Sequence, residues 1–269
     1  MLADPIAERK VQTRAVFDRI VPDYDAGGPG CFATFGRRLV AEVGVLAGQR
    51  VLDVATGRGA VLFPAAEAVG PTGSVTGLDL SEGMVRATRE EAARRGVAAE
   101  VLVGDAEALD FPDATFDLVL CGFGLMFLPQ VGLALAEFRR VLRPGGRLGV
   151  STWQVTQADD LGAVLAQQGL LDVDQEVMRF SVADELQRAL AAADFTVVRV
   201  RPDTVAFRYD DLAAYWQNAR GTGIRRWLDR LDDAQHEQVR AALAERVQSR
   251  QQADGLHLPA TALLAVARR

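Results

Sequence analysis

Residues 50–60 constrain the fold of this chain most, because they join an apolar run to an acid and two closely spaced glycines. The apolar run predicts a buried strand over residues 50–55. Gly57 and Gly59 predict a tight loop, since glycine tolerates positive φ and lets backbone amides approach a ligand closely. A helix is expected over residues 60–69, and the unpaired N–H groups of its first turn favour a nucleoside or nucleotide ligand with an acidic group.

The spacing of the glycines distinguishes two kinds of nucleotide-binding loop. The dinucleotide pattern G-x-G-x-x-G needs a third glycine where this chain has Leu62. The pattern D-x-G-x-G-x-G fits better, with Asp53, Gly57 and Gly59 in place and Ala55 instead of the first glycine. An NAD-dependent enzyme is therefore the less favoured alternative.

Strand and helix patterns alternate after this loop. Strands are expected over residues 74–79, 100–104, 116–121 and 147–153, and helices over residues 82–95 and 130–142. This alternation predicts right-handed crossovers and a parallel sheet with helices on both faces. Ligands of such sheets bind at the carboxyl ends of the strands.

Two of these strand ends carry acids. Asp79 could accept hydrogen bonds from both hydroxyls of a ribose; the alternative is that it caps the next helix, a role that suits Ser81 better. Asp105 could accept from an adenine amino group, with the next backbone N–H donating to a ring nitrogen; the alternative is an ordinary solvated acid. Together with Asp53, the two acids favour a nucleoside ligand.

Several segments, in order and at matching spacing, resemble the motifs of class I S-adenosylmethionine (AdoMet)-dependent methyltransferases. They are Asp53–Gly59, Leu78–Met84, Gly104–Glu107, Phe116–Phe127 and Leu142–Gly146. The resemblance covers residues 48–153. Within the family, residues 16–25 and 122–125 are most similar to the ubiquinone/menaquinone C-methyltransferase-like (type 11) group.

The resemblance implies a Rossmann-like class I methyltransferase fold. This is an α/β fold with a seven-stranded, mostly parallel sheet, helices on both faces and a helical cap. It implies AdoMet as the cofactor and S-adenosylhomocysteine (AdoHcy) as the product. The expected divisions are an N-terminal helical lid over residues 1–47, an AdoMet-binding core over 48–201, a helical substrate cap over 202–255 and a final sheet strand over 256–269. Pro202 and Asp203 predict a turn between two strand segments.

The same resemblance assigns site residues. The expected cofactor-binding residues are Tyr24, Asp53, Ala55, Thr56, Gly57, Gly59, Asp79, Leu80, Met84, Gly104, Asp105, Ala106 and Cys121. The expected acceptor pocket is mostly apolar and aromatic, and contains Phe32, Phe123, Met126, Trp153 and Tyr215. Tyr24, beside a glycine-rich loop, is expected to fold over the methionine end of the cofactor.

No catalytic constellation is evident. Tyr24 and His257, which lies at the start of the last strand, are the candidates for a catalytic role. The cysteines and histidines lack zinc-like spacing, so no metal is expected. Methyl transfer from a sulfonium needs alignment more than a catalytic group, so this does not argue against the assignment.

Composition limits the partners. The chain has 269 residues and a net charge of −6, which disfavours a nucleic-acid partner. Two cysteines, Cys31 and Cys121, make a disulfide framework improbable, and no apolar run reaches the roughly 20 residues of a membrane span. A cytoplasmic protein with a small-molecule partner is expected; its oligomeric state is left open.

Three functions remain compatible with these motifs. The favoured one is methyl transfer to a small hydrophobic or aromatic acceptor, as in secondary metabolism. A second is AdoMet-dependent chemistry without methyl transfer, such as a cyclisation or rearrangement. A third is a non-catalytic subunit that only binds the ligand.

Overall fold

The computed structural model describes residues 4–25, 28–154, 160–170 and 179–269. Residues 1–3 and 26–27 of the expected lid lie outside these ranges. The strands are β1 (Arg50–Val54), β2 (Ser74–Asp79), β3 (Glu100–Val103), β4 (Phe116–Gly122), β5 (Leu142–Trp153), β6 (Thr196–Tyr209), β7 (Gln251–Gln252) and β8 (Gly255–Arg268). The helices are α1 (Pro5–Ile20), α2 (Cys31–Val43), α3 (Leu62–Val69), α4 (Glu82–Arg95), α5 (Val131–Val141), α6 (Asp160–Gln167), α7 (Ala183–Ala192), α8 (Leu212–Arg220), α9 (Arg225–Leu228) and α10 (Asp233–Val247).

The strands form one sheet in the order β3-β2-β1-β4-β5-β8-β6, with the two-residue β7 paired to β8. The first five strands run parallel to one another, whereas β8 runs antiparallel to both β5 and β6. The expected mostly parallel α/β sheet is confirmed, and β7 is a short addition to the seven expected strands.

Helices cover both faces of the sheet because the central strands are apolar on both sides. In β1, Val51 packs with the buried residues of α2 and α3, while the next residue, Leu52, packs with those of α5 and α7. In β4, Leu118 and Val119 divide between the two clusters in the same way. Near-continuous apolar runs of this kind are typical of parallel strands buried on both faces.

The expected turn at Pro202 and Asp203 is wrong, because β6 continues through both residues as one strand. Pro202 pairs with Leu263 and Asp203 with Ala262 of β8. A proline is tolerated there because β6 is the edge strand, where a missing N–H breaks no further ladder. Asp203 is buried, and its carboxylate accepts from Arg38 of α2 at 2.8 Å.

Strands β6 and β8 extend beyond the end of β5 as a two-stranded arm, residues 203–209 and 255–261. The pairing of β5 with β8 ends where Trp153 meets Ala262, but β6 and β8 stay paired as far as Tyr209 and Leu256. The helices α8, α9 and α10 lie between these strands in sequence. The arm therefore occupies the start of the segment assigned to the cap, and it carries the cap helices.

The two N-terminal helices occupy different places. α2 belongs to the helical layer of the core, with Phe35 and Leu39 fully buried. α1 buries only Ile20 and is joined to the start of α4 through Asp18, whose Oδ1 accepts from Ser81 Oγ at 2.5 Å and from Gly83 N at 3.0 Å. Among the described residues, no helix has the length and apolar character needed to cross a bilayer.

Candidate active site

A cavity of about 300 Å³ lies at the carboxyl ends of the parallel strands, at the lower end of the size range of small-molecule sites. The loops after β1, β2, β3 and β4 contribute Gly57, Asp79, Asp105 and Phe123 to its wall. Residues of α1, α2, α6, α8 and the arm also line it, together with Trp153 at the end of β5. This is where a parallel α/β sheet is expected to bind a ligand.

The loop after β1 is built around a buried acid. Asp53 is fully buried and its Oδ2 accepts from Thr56 Oγ1 at 2.6 Å. Burial raises the pKa of the Asp53 carboxyl to about 7, the Thr56 hydrogen bond acts against this, and the nearby charge of Asp79 adds to it. Asp53 therefore stabilises the loop after β1 through Thr56 and does not line the cavity.

Ala55 occupies the position of the first glycine in the D-x-G-x-G-x-G pattern and has a φ of 55°. Gly57, with a φ of 52°, shares this left-handed conformation. The family pattern thus places glycine where the backbone needs positive φ, and Ala55 adopts it despite its Cβ.

Asp79 is held by the loops on either side of it. Its Oδ2 accepts from Gly57 N at 2.8 Å and its Oδ1 from Ser81 N at 2.9 Å. Burial raises the pKa of Asp79, while these amide hydrogen bonds lower it. Ser81 caps α4 by accepting from Met84 N at 3.0 Å, so the alternative in which Asp79 is the cap is wrong. Asp79 lines the cavity with lone pairs left for further donors.

Lys10, Asp105 and Glu107 form an ion-pair cluster, here called the lysine–acid cluster. Lys10 Nζ lies 2.7 Å from Asp105 Oδ2 and 2.5 Å from Glu107 Oε2. Asp105 Oδ1 also accepts from Glu107 N at 2.9 Å, and Glu107 Oε1 accepts from Gln130 N at 2.6 Å. All three residues of the cluster line the cavity.

Sequence reasoning did not identify Lys10 or Glu107 as site residues. The available signal was that Lys10 is the only lysine of the chain. A second signal was periodicity, because Lys10, Thr13, Arg14 and Phe17 lie at helical spacing and all line the cavity.

The opposite part of the cavity is aromatic. Phe123, at the end of β4, stacks on Trp153 with ring centroids 4.1 Å apart and an interplanar angle of 28°. Phe32 meets both rings edge-on at 5.5 and 5.8 Å. Tyr24 stacks on Phe32 at 5.2 Å. Phe207, Tyr209 and Tyr215 continue this aromatic wall into the arm and the cap.

The structure brings most of the expected site residues to the cavity. The lining includes Tyr24, Phe32, Ala55, Gly57, Asp79, Leu80, Gly104, Asp105, Ala106, Phe123, Trp153 and Tyr215. The expected residues outside the lining are Asp53, Thr56, Gly59, Met84, Cys121 and Met126. Those six are buried, so they support the loops and the core behind the cavity.

The two catalytic candidates differ in position. Tyr24 lines the cavity, and burial raises the pKa of its hydroxyl, with the charges of Asp25 and Asp79 adding to this, so the hydroxyl remains protonated. His257 does not reach the cavity, and its Nε2 lies 3.0 Å from Asp254 Oδ1.

Sequence reasoning also gave no indication that Asp25 is a buried acid with a raised pKa. Its carboxyl lies at the N-terminus of α2. Burial raises the pKa of Asp25 to about 6, while the nearby amides of Ala33, Cys31 and Phe32 and the side chain of Asn218 act against this. Nothing in the local sequence pattern indicates such burial, because Asn218 belongs to α8 in the cap.

The core of the chain matches a known family. Residues 51–146 match the model of the methyltransferase domain. The chain is 46% identical over 137 residues to nocamycin O-methyltransferase of Saccharothrix syringae, which covers 51% of this chain and 49% of that protein. It is 36% identical over 148 residues to the ubiquinone/menaquinone biosynthesis C-methyltransferase UbiE of Cupriavidus necator, which covers 54% of this chain and 61% of that protein. The alignments thus span about half to three fifths of these relatives.

Solved structures give the same result for the fold. A SAM-dependent methyltransferase from Aquifex aeolicus is 26% identical, with a TM-score of 0.51 over 61% of this chain and 81% of that one. The [4+2]-cyclase SpnF is 22% identical, with a TM-score of 0.58 over 88% of this chain and 80% of that one, and this likeness concerns the fold alone. The core formed by residues 51–146 is therefore a class I AdoMet-dependent methyltransferase domain, the family whose cofactor is AdoMet.

Proposed function

We propose that this protein transfers a methyl group from AdoMet to a small hydrophobic or aromatic acceptor. The observation that carries the proposal is the division of the cavity. One part has the carboxylates Asp79 and Asp105 beside apolar Leu80 and Ala106, and the other has the stacked rings of Phe123 and Trp153. A polar nucleoside and a flat apolar acceptor need these two kinds of wall.

The residues around the first part fit AdoMet chemically. Asp79 would accept from the ribose hydroxyls and Asp105 from the adenine amino group, and the Ala106 amide would donate to an adenine nitrogen. Gly57 lies beside Tyr24, since a Cβ at Gly57 would be in van der Waals contact with the Tyr24 hydroxyl oxygen at 3.7 Å. Tyr24 would then lie over the methionine end.

The chemical step requires little from the protein beyond alignment. A bound AdoMet would supply a methyl group on a positively charged sulfur, which would pass to the acceptor's electron pair with AdoHcy as the leaving group. The aromatic wall would hold the acceptor in line and exclude water. The raised pKa of Tyr24 and the position of His257 do not provide a base. We therefore propose an acceptor whose own enol or phenol is acidic enough to lose its proton to solvent.

The named relatives are compatible with this choice of acceptor. One is named as an oxygen methyltransferase of the small molecule nocamycin and the other as a carbon methyltransferase of quinone biosynthesis. The acceptor atom is therefore left open between oxygen and carbon. The net charge of −6 favours a small molecule over a nucleic acid.

The first test concerns the cofactor. Replacing Asp79 by alanine should weaken AdoMet binding about 10- to 100-fold, or about 1.4–3 kcal/mol, because the ribose hydroxyls lose a charged acceptor. Calorimetry measures this, and Asp110→Ala, at an exposed acid, is the matched control. Unchanged AdoMet affinity in Asp79→Ala, or binding of NAD⁺ in place of AdoMet, would reject the proposed site.

The second test concerns the reaction. The protein is incubated with methyl-labelled AdoMet in two separate assays. One assay contains a cell extract, and the other contains a panel of hydroxylated naphthoquinones and anthraquinones. We expect label in organic-soluble small molecules, with one AdoHcy formed per labelled product. Label found only in macromolecules contradicts a small-molecule acceptor. A changed acceptor without AdoHcy would indicate the non-methylating alternative.

A further inference from the structure

The lysine–acid cluster joins two distant parts of the chain at the cavity wall. Lys10 lies in α1, whereas Asp105 and Glu107 follow β3, 95 and 97 positions later in the sequence. Asp18 joins the other end of α1 to the start of α4. The helix is therefore fixed at two points about two turns apart, one of them beside the cavity.

The charges of the cluster do not balance. Within the cluster, two carboxylates face one ammonium. The Glu107 side chain is 2% exposed and lies against Lys10, while the Asp105 side chain is 32% exposed. Burial acts to lower the pKa of Lys10, but the two carboxylates outweigh it and raise that pKa, which keeps the ammonium protonated.

Asp105 has capacity for one more donor. Its Oδ2 accepts from Lys10, and a carboxylate oxygen has two lone pairs. A neutral amino group suits this position, because it can donate to the remaining lone pair without placing another full charge next to Lys10.

We propose that Lys10 holds α1 over the adenosine end of the bound cofactor. Lys10 and the adenine amino group would both donate to Asp105 Oδ2, while Glu107 would remain the counter-ion of Lys10. This inference rests on the adenosine position in the proposed function. Lys10 is a positioning residue, since it acts on the cofactor through Asp105. The cavity-facing residues Thr13, Arg14 and Phe17 then cover the nucleoside from the same helix.

The first experiment measures binding without the reaction. AdoHcy has the adenosine end but no methyl group to transfer, so calorimetry with AdoHcy isolates this contact. Lys10→Met should weaken AdoHcy binding at least 10-fold, and Lys10→Arg, which keeps the charge, should stay within about threefold of the unaltered protein. Gln12→Met, at an exposed position of the same helix, should have no effect. Equal affinity in Lys10→Met and Gln12→Met overturns the proposal.

The second experiment uses the unaltered protein, so it does not depend on the folding of a variant. Since Lys10 is the only lysine, an N-hydroxysuccinimide acetate reagent can modify only one side-chain amine, which peptide mapping separates from the terminal amine. AdoHcy should slow acetylation of Lys10 at least 10-fold. The same rate with and without AdoHcy overturns the proposal.

The Asp79→Ala variant distinguishes the two possible failures. If Asp79→Ala loses AdoHcy binding and Lys10→Met does not, the adenosine site stands and the role of Lys10 is wrong. If neither variant changes the affinity, the proposed cofactor site is itself wrong.

Discussion

At the residue scale, Ala55 and Gly124 fit each other across the ends of β1 and β4. Ala55 keeps its left-handed φ, and a Cβ on Gly124 would lie 2.5 Å from the Cβ of Ala55 and 2.9 Å from the sulfur of Cys121. The glycine after β4 thus provides the space that an alanine in the β1 loop requires. The two positions should behave as a coupled pair.

A double-mutant cycle tests this coupling. Gly124→Ala should lower the free energy of unfolding by about 2–3 kcal/mol, because buried overpacking is poorly accommodated. Ala55→Gly should change stability by less than about 1 kcal/mol, since relief of strain and added chain entropy oppose each other. The double variant should recover part of the loss, with the Cys121 contact remaining. Additive effects in urea denaturation would contradict direct coupling.

At the element scale, α1 and α2 differ in what holds them. α1 buries only Ile20 and depends on polar contacts of Lys10, Asp18 and Arg19, whereas α2 buries an apolar face that includes Phe35 and Leu39. Segments with few buried apolar contacts open locally at low free energy. α1 is therefore the element of this pair that can open the cavity.

Hydrogen exchange provides the measurement for this prediction. The amides of α1 should exchange at least 10-fold faster than those of α2, and AdoHcy should slow exchange in α1 only. Asp18→Ala should speed exchange in α1 and leave α2 unchanged, because it removes the acceptor of Ser81 Oγ and Gly83 N. Equal exchange rates in the two helices would show that they open together.

The elements also show how far a sequence alone can predict this molecule. Strands β1 to β4 and the place of Asp79 at the end of β2 were predictable because each of these apolar runs ends in or next to an acid or a glycine, which is a local signal. The contact of Lys10 with Asp105 is not local, since the two residues are 95 positions apart in the sequence. Pro202 was misinterpreted for a related reason: its tolerance in β6 depends on that strand being at the sheet edge.

At the scale of the whole molecule, buried acids make stability depend on pH in an unusual direction. Asp53 and Asp25 have folded-state pKa values of about 7 and about 6, above the ordinary 3.8. The folded state therefore binds more protons than the unfolded state between about pH 4 and pH 7, so the free energy of unfolding falls as pH rises through this window. Glu42, Glu91 and Glu137, whose pKa values are lowered, titrate below it.

The free energy of unfolding should accordingly be about 2–4 kcal/mol larger at pH 5 than at pH 7.5. Urea denaturation at the two pH values measures the difference. Asp53→Asn should reduce this pH dependence, because it removes the larger of the two shifts while keeping an oxygen for the Thr56 hydroxyl. A free energy of unfolding that increases from pH 5 to pH 7.5 would contradict the raised pKa values of Asp53 and Asp25.

The two-stranded arm lies outside the part of the chain that matches the family model, although it lines the same cavity. The family match ends at residue 146, whereas Phe207, Tyr209 and Leu258, which line the far part of the cavity, belong to the arm. We therefore propose that the length of the arm limits the size of the acceptor. Removing one residue from a strand would turn the side chains beyond it to the other face of the sheet. The arm can therefore keep its cavity-lining side chains only if each strand is shortened or lengthened by two residues at a time. Acceptor size in proteins built on this plan should therefore vary in increments of about 7 Å along the arm while the AdoMet loops stay the same.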